Sequence, residues 1–389
     1  MSTGDAHYIK NLNRRILIEQ IIKEKTLSRS DLARDTGLNK ATVSAQISAL
    51  IDEGIVRETK IGSIDSPGRK PILIEINGDA GYSIGIDVDT TEVRAVFIDL
   101  KGFPFHKEVI ETNEGDLDQL ISIVRERLKP LMDQFNTDYD PIGLTGICVG
   151  IHGIINNDNE IVFTPKQQWT NTDLKEKLES EIDVPVYIDN NANLSAFGEQ
   201  VYFENISDLF CITLYSGIGL GIINNYTIYR GYEGFAGEVG HMIVQPEGQL
   251  CTCGNLGCWE QYASEKVLKQ KLSNRFENAK DNYQTLLTED SFKGDLEEFS
   301  KYLAIGLNNI INIFNPQRIV LNGALINENP QVIEEMEGLL KSKINSYETI
   351  HISRLGEFAC ALGGAAYVLK NYLNVNTLDY MAYEYFDQE

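Results

Sequence analysis

His241 is followed by Cys251, Cys253 and Cys258 after nine, one and four intervening residues. One imidazole and three thiols at that spacing can close a tetrahedron around zinc. Such a shell has no open position for water, so the metal expected here is structural. Glycines at Gly248, Gly254 and Gly257 let the chain turn sharply enough for the cysteines to converge. Unrelated loop cysteines or a disulfide fit three cysteines in so short a run poorly. Glu238 and Glu260 flank the segment, three residues before the histidine and two after the last cysteine. Clamped together they make a set of acceptors suited to sugar hydroxyls; unclamped, they would simply be solvated.

The elements that must carry this loop read as α/β. Tyr82–Val88 and Val93–Leu100 are expected as adjacent strands, Leu117–Met132 as a helix, Gly143–Ile151 as a buried strand, Leu174–Glu181 as a helix and Val186–Asp189 as a strand. Leu209–Tyr215 is a further strand, followed by alternating glycines at Gly217, Gly219 and Gly221. These form a tight turn whose backbone can approach a ligand or a neighbouring chain segment. With no Lys-Ser/Thr and no long helix after it, the turn is neither a P-loop nor a dinucleotide fingerprint. Ser264–Phe276, Leu296–Phe314, Pro330–Tyr347 and Ala361–Leu373 read as helices, with short strands at Arg318–Leu321 and Ile350–Arg354. The recurrence of strand and helix blocks suggests two related lobes with a cleft between them.

The N-terminal stretch has a different texture. Leu17 and Ile21, and Ile18 and Ile22, give one apolar helical face. Ser28 caps a short helix with Asp31 three residues on, and Gly37 stops it. Asn39 caps a second helix with Val43, Ile47, Leu50 and Ile51 as its buried stripe. The opposite face is expected to present Lys40, Thr42, Ser44, Gln46 and Ser48 to base edges in a major groove. Val56–Ile61 and Ile72–Ile76 read as a hairpin whose tip carries Arg69 and Lys70, a wing for phosphate or minor groove. Ser28, Arg29 and Asn39 join the expected DNA contacts. A helical module for protein contacts is the alternative. Asn77-Gly78-Asp79 is expected as a hinge, dividing residues 1–78 from 79–389.

Composition supports the division. The 389-residue chain has a formal net charge of −23, yet residues up to Ala80 carry 12 Lys/Arg against 11 Asp/Glu and the remainder 22 against 46. A uniformly acidic protein repels nucleic acid; this one confines its acid downstream. Cys148, Cys211 and Cys360 lie apart in apolar surroundings and suit reduced thiols, which with no visible leader or membrane-spanning run points to a cytoplasmic protein.

Glu238-Val-Gly-His241 with Cys251-Thr-Cys253-Gly-Asn-Leu-Gly-Cys258-Trp-Glu260, downstream of Asp189-Asn190-Asn191-Ala192-Asn193, resembles the ROK family of sugar kinases and sugar-responsive repressors. Asn39-Lys40-Ala41-Thr42-Val43-Ser44, Ile161-Val162-Phe163-Thr164-Pro165 and Gly68-Arg69-Lys70-Pro71 extend the likeness to its repressor branch. The resemblance implies a winged helix-turn-helix followed by a two-lobed, actin-like and ribonuclease-H-like domain with a structural zinc loop. It implies a sugar held in the interlobe cleft by Gly153, Asn190, Asn191, Glu238, His241 and Glu260.

Two departures separate this chain from the family's kinases. Their general base is an aspartate at the position of Asn191, and a carboxamide cannot take up a hydroxyl proton at neutral pH. Their phosphate loop runs Asp-x-Gly-Gly-Thr, whereas here Asp87-Val88-Asp89-Thr90-Thr91 puts side chains, one anionic, where backbone must meet phosphate. The expectation is a homodimeric repressor released from double-stranded DNA by a sugar, xylose first. Glucose or an amino sugar as inducer, or a residual sugar kinase, are the alternatives.

Overall fold

The computed structural model describes residues 6–59, 71–89, 91–112, 117–165, 167–203, 205–275 and 292–380. Among them no helix is long and apolar enough to cross a membrane.

Three helices, α1 (Ala6–Glu24), α2 (Arg29–Thr36) and α3 (Lys40–Asp52), form the N-terminal unit. Leu17, Ile21, Leu32, Val43, Ile47 and Leu50 meet in its core with no exposed surface. Ser28 and Asp31 close a reciprocal capping box, and Gly37 ends α2 in the left-handed region at φ 72°. The Asn39 side chain accepts from Thr42 N at 2.8 Å. Asn39→Ala should therefore cost about 0.5–2 kcal/mol of stability, and Asn39→Gly only a few tenths. Calorimetric melting of the two variants checks this; equal losses would show that the side chain caps nothing.

Strands β1 (Val56–Thr59) and β2 (Leu73–Ile76) pair antiparallel, with Val56 opposite Ile76. Arg69, Lys70 and the rest of the expected wing tip up to position 70 lie outside the described residues. The expected hinge is a 3-10 turn at Gly78–Ala80 that is well tied down. Arg57 bonds Glu75, Asn77 and Asp79, and Asn77 Nδ2 donates to Gly54 O at 3.1 Å.

Two expected DNA contacts are corrected here. Gln46 is buried, and its Nε2 donates to Lys10 O at 3.4 Å. It lies three residues after Val43 and four before Leu50, inside the apolar stripe, so the helix period turns it inward. Ser28 is also buried. Its hydroxyl donates to Asp31 Oδ2 at 2.6 Å and accepts from Asp31 N at 3.1 Å, which commits it to the cap. Asn39, Lys40, Ser44 and Ser48 remain exposed, Thr42 and Arg29 partly so. Arg29 donates to Glu58 Oε1 on β1 at 2.7 Å.

Beyond the turn stand two sheets of five strands with the same plan. The first holds β3 (Gly81–Val88), β4 (Glu92–Asp99), β5 (Pro104–Glu111), β6 (Gly143–Ile151) and β7 (Val186–Asn190) in the order β7-β6-β3-β4-β5. The second holds β8 (Asp208–Thr213), β9 (Gly219–Asn224), β10 (Thr227–Ile228), β11 (Arg318–Asn322) and β12 (Thr349–Ile352) in the order β10-β9-β8-β11-β12. Each is an antiparallel three-strand meander extended by two parallel strands. The expected pair of related lobes is thus present.

Helix α4 (Asn191–Tyr202) leaves the first sheet and packs on the second. The long α5 (Lys293–Phe314) shares a core with the second sheet's other face through Leu303, Leu307, Phe210 and Ile319, and α6 (Ala359–Leu373) returns to pack on the first. Helices α4 and α6 cross between the sheets. Their approach requires missing side chains: a Cβ on Gly363 would stand 1.8 Å from Leu194 O, and one on Gly198 2.8 Å from Ala359 O.

Some expected elements differ. The helix expected over Pro330–Tyr347 runs only Gln331–Glu337. Beyond it Ser342 Oγ accepts from Ile344 N, a local side-chain bond that competes with helix continuation, and Asn345 Nδ2 donates to Asn308 Oδ1 at 3.2 Å, a contact to a distant helix. Helix α4 escaped sequence reading because nearly every residue in it is buried, which erases any amphipathic period. Edge strand β5 escaped for the opposite reason, since only Ile110 in it is buried.

Candidate functional site

Strands β3, β6 and β7 end at one edge of the first sheet, with Val88 and Asn190 both opposite Ile151. In an open α/β sheet that edge is where ligands are met. His152, Gly153 and Asn191 issue from it. Asn190 fixes the geometry: its Oδ1 accepts from Ala192 N at 2.8 Å as the α4 cap, and its Nδ2 donates to Gly153 O at 2.8 Å. Asp189 accepts from Asn193 Nδ2 at 3.0 Å and pairs with Arg230, which holds the same corner from below. Asn191, His152 and Ser195 line a cleft with Asp87, Tyr215 and Asn322 of the two lobes.

The metal-type loop faces this edge from the second lobe. The ligand atoms of His241, Cys251, Cys253 and Cys258 all lie within 4.8 Å of one another. Cys251 Sγ is 3.6 Å from His241 Nδ1, and Cys253 Sγ 3.6 Å from Cys258 Sγ. Four ligands about 2.0–2.3 Å from one zinc ion stand about 3.3–3.8 Å apart, so the set fits a tetrahedral ion. The backbone is shaped for it. Gly254 and Gly257 take φ values of 96° and 84°, Cys251 N donates to Asn255 O at 2.9 Å and Gly257 N to Gln249 O at 2.8 Å. Burial and the neighbouring thiols push the Cys258 thiol up to about 12, so a divalent ion must displace its proton.

The carboxylates sit where expected. Glu260 Oε1 lies 3.1 Å from Cys251 Sγ and 3.8 Å from His241 Nδ1, while Glu238 Oε2 lies 3.9 Å from His241 Nε2. The imidazole thus has the sulfur-rich cluster and Glu260 on its Nδ1 side and Glu238 on its Nε2 side. Behind it Trp259 is wholly buried, its Nε1 donating to Tyr302 O at 2.8 Å and its indole lying against Gly306 of α5.

The glycine-rich turn joins the two halves, and its three glycines have separate duties. A Cβ on Gly221 would stand 2.0 Å from Ala192 O and one on Gly219 3.1 Å from Ala192 Cβ, so these two admit the start of α4. Gly217 faces the site: a Cβ there would lie 3.0 Å from Glu260 Oε2 and 3.6 Å from His152 Nε2. The six expected sugar residues therefore form one continuous arrangement, with His152 and Gly217 added. Sequence reading passed over His152, although it directly precedes Gly153, and gave Gly217 only as part of a turn whose backbone can approach a ligand or a neighbouring segment.

Where a phosphate loop would approach a nucleotide, the first lobe instead builds an ion cluster. Arg94 stands 3.5 Å from Asp87 and 3.7 Å from Glu357, and pairs with Glu92. Burial pushes Asp87 up to about 6 against the pull of Arg94.

Residues 83–371 match the ROK family, and residues 10–57 match a winged helix-turn-helix DNA-binding family. The chain belongs to the ROK family. Its sequence is 37% identical over 394 residues to the xylose repressor of Bacillus subtilis (strain 168), covering 97% of this chain and 100% of that protein. In fold it matches a ROK family transcriptional regulator, homologous to the E. coli MLC protein, with TM-score 0.77 and 21% identity over 94% of this chain and 96% of that one. A ROK glucokinase from Streptomyces griseus, solved with glucose and AMPPNP, matches with TM-score 0.62 and 25% identity over 74% of this chain and 99% of its own. This ROK protein is a winged-helix regulator rather than an enzyme: it carries a DNA-binding fold, and repressor relatives align over 96–97% of its length.

Proposed function

We propose that this ROK protein is a sugar-responsive transcriptional repressor, acting in the cytoplasm as a homodimer, with xylose as its inducer and a structural zinc ion. Residues 1–78 read DNA and residues 79–389 bind the sugar. The observation that carries the reading is the convergence on Gly217 of Glu260 from the metal-type loop and the His152–Asn190 corner, in a chain that begins with a DNA-binding fold. The xylose assignment is supported by the repressor relatives.

His241, Cys251, Cys253 and Cys258 would hold the zinc. When bound, it would supply a fixed centre that keeps both ends of the loop together. Glu238 and Glu260 then accept from sugar hydroxyls, His241 adds its outer face, and the Gly153 turn and Asn190 shape the opposite wall. Asn191 hydrogen-bonds a hydroxyl without taking its proton, so the sugar leaves unaltered.

The DNA side has a physical link to this cleft. Arg15 Nε donates to Asn374 O at 2.9 Å, and Glu19 accepts from Asn376 N at 2.7 Å, tying α1 to the end of α6. Helix α6 in turn crosses α4, whose first turn carries Asn191. A sugar that draws the lobes together moves this crossing and with it the recognition helices, Lys40 and Ser44 foremost. The two helices of a dimer read half-sites about one DNA turn, or a multiple, apart. By linkage the sugar must bind the released form better than the DNA-bound form.

Calorimetric titration with xylose, glucose and N-acetylglucosamine, beside operator gel shifts at each concentration, tests the reading. Xylose is expected to give heat and to release the operator; operator binding indifferent to every sugar overturns induction. Glu260→Ala, which removes a charged acceptor worth about 1.5–3 kcal/mol, should weaken sugar binding about 10–100-fold and leave operator affinity unchanged. An unaltered inducer response in that variant would make the carboxylate a bystander.

A further inference from the structure

His152 and Glu260 come from different lobes and reach toward the same small space. His152 follows β6 at the ligand edge of the first sheet, and Glu260 follows the metal-type loop of the second lobe. The Nε2 of one and the Oε2 of the other lie 3.6 Å and 3.0 Å from the point where a side chain on Gly217 would begin. That point carries no atom because position 217 is glycine. The side chains of His152 and Glu260 therefore face the same space over Gly217, and a ligand hydroxyl lodged between them can donate to the carboxylate and share a proton with the imidazole.

The position of the imidazole is set by its neighbours. Gly153 O, one residue on, is gripped by Asn190 Nδ2, and a Cβ on Gly153 would stand 2.5 Å from Phe163 O, so the turn that aims His152 has little freedom. Asn191 and Tyr215 line the cleft beside it.

From this juxtaposition we infer that His152 is a sugar-contacting residue, the first lobe's half of a clamp in which one sugar hydroxyl bridges His152 and Glu260 across Gly217. The inference rests on the sugar-pocket reading above and deepens it. A bridge of this kind makes inducer binding and lobe approach a single event, because one half of the clamp binds poorly without the other. The empty space at Gly217 becomes part of the site rather than a feature of the turn.

The test uses the full-length, zinc-loaded protein. Xylose affinity is measured by calorimetry for wild type, His152→Ala, His152→Gln and Gly217→Ala, beside ligand-free melting and operator affinity. His152→Ala should lose roughly 3–10-fold in xylose affinity, the worth of one hydrogen bond, with ligand-free melting and operator binding unchanged. His152→Gln, which keeps a polar group of similar reach, should recover part of the loss. Gly217→Ala, whose methyl would enter the space between the two groups, should lose more than either. Wild-type affinity in His152→Ala overturns the clamp; if that variant does not fold, wild-type affinity in His152→Gln and Gly217→Ala together does so. Absence of heat with any sugar in the wild type overturns the pocket reading and the clamp with it, an outcome distinct from a wild type that binds and a variant that binds equally well.

Discussion

Trp259→Ala is expected to destabilise the second lobe by about 3–5 kcal/mol, the range for removing a large aromatic side chain from a core. Three contributions add in the same direction. The indole has no exposed surface, so its removal leaves a cavity among Leu303, Leu307 and the underside of the metal-type loop. Its Nε1 no longer satisfies Tyr302 O, and Gly306, which a Cβ would bring to 2.0 Å from the ring, loses its partner surface. The loss should extend to sugar binding, since the indole anchors residue 259 between Cys258 and Glu260, where its backbone N–H donates to Met242 O at 2.8 Å, beside His241. Trp259→Phe restores most of the volume but not the hydrogen bond, and should recover more than half the lost stability. Denaturant unfolding of both variants decides the matter. A Trp259→Ala protein within 1 kcal/mol of wild type would mean that the loop does not depend on this anchor.

Loss of the metal site should have the second large effect. Cys258→Ser removes a buried ligand from a set whose four donor atoms lie within 4.8 Å, and stoichiometric zinc should fall to background. Cys253→Ser removes an exposed ligand and should act alike, with less disturbance of packing. In a closed four-ligand site binding and local folding share one free energy, so the loop should loosen and Glu238 and Glu260 lose their common orientation. Sugar affinity should then fall by at least the ~10–100-fold that loss of a supporting contact costs around a metal. The N-terminal unit has its own caps, and the core it shares with the first lobe and α6 includes, among the described residues, no residue of the metal-type loop, so its helical signal should persist. Metal analysis with sugar calorimetry checks both halves. Stoichiometric zinc retained in Cys258→Ser would remove that cysteine from the ligand set.

Local chemistry was legible wherever a side chain serves its own neighbourhood. The Ser28–Asp31 capping box, the Gly37 stop and the Asn39 cap stand as their spacing requires, because a cap concerns a turn of three or four residues. The four metal-type ligands were legible for a similar reason, three of them lying in one short loop. Gln46 was misassigned to the exposed face although its spacing from Val43 and Leu50 marks it as inward, a misreading of the period rather than a limit of the sequence. Helix α4 was a true limit. A helix buried on all sides carries no alternation of polar and apolar residues, and only its packing between the two lobes reveals it.

The sequence alone determined the parts: a capped helix pair followed by a paired hairpin, and a histidine and three cysteines at tetrahedral spacing. Those follow from bond lengths, turn geometry and proton affinity, which act over a few residues. The meeting of His152, Gly217 and Glu260 was decided only by the tertiary structure. These residues leave strand ends and loops far apart in the chain, and what brings them to one point is the crossing of α4 and α6 at their glycines, a packing fact spread over both lobes.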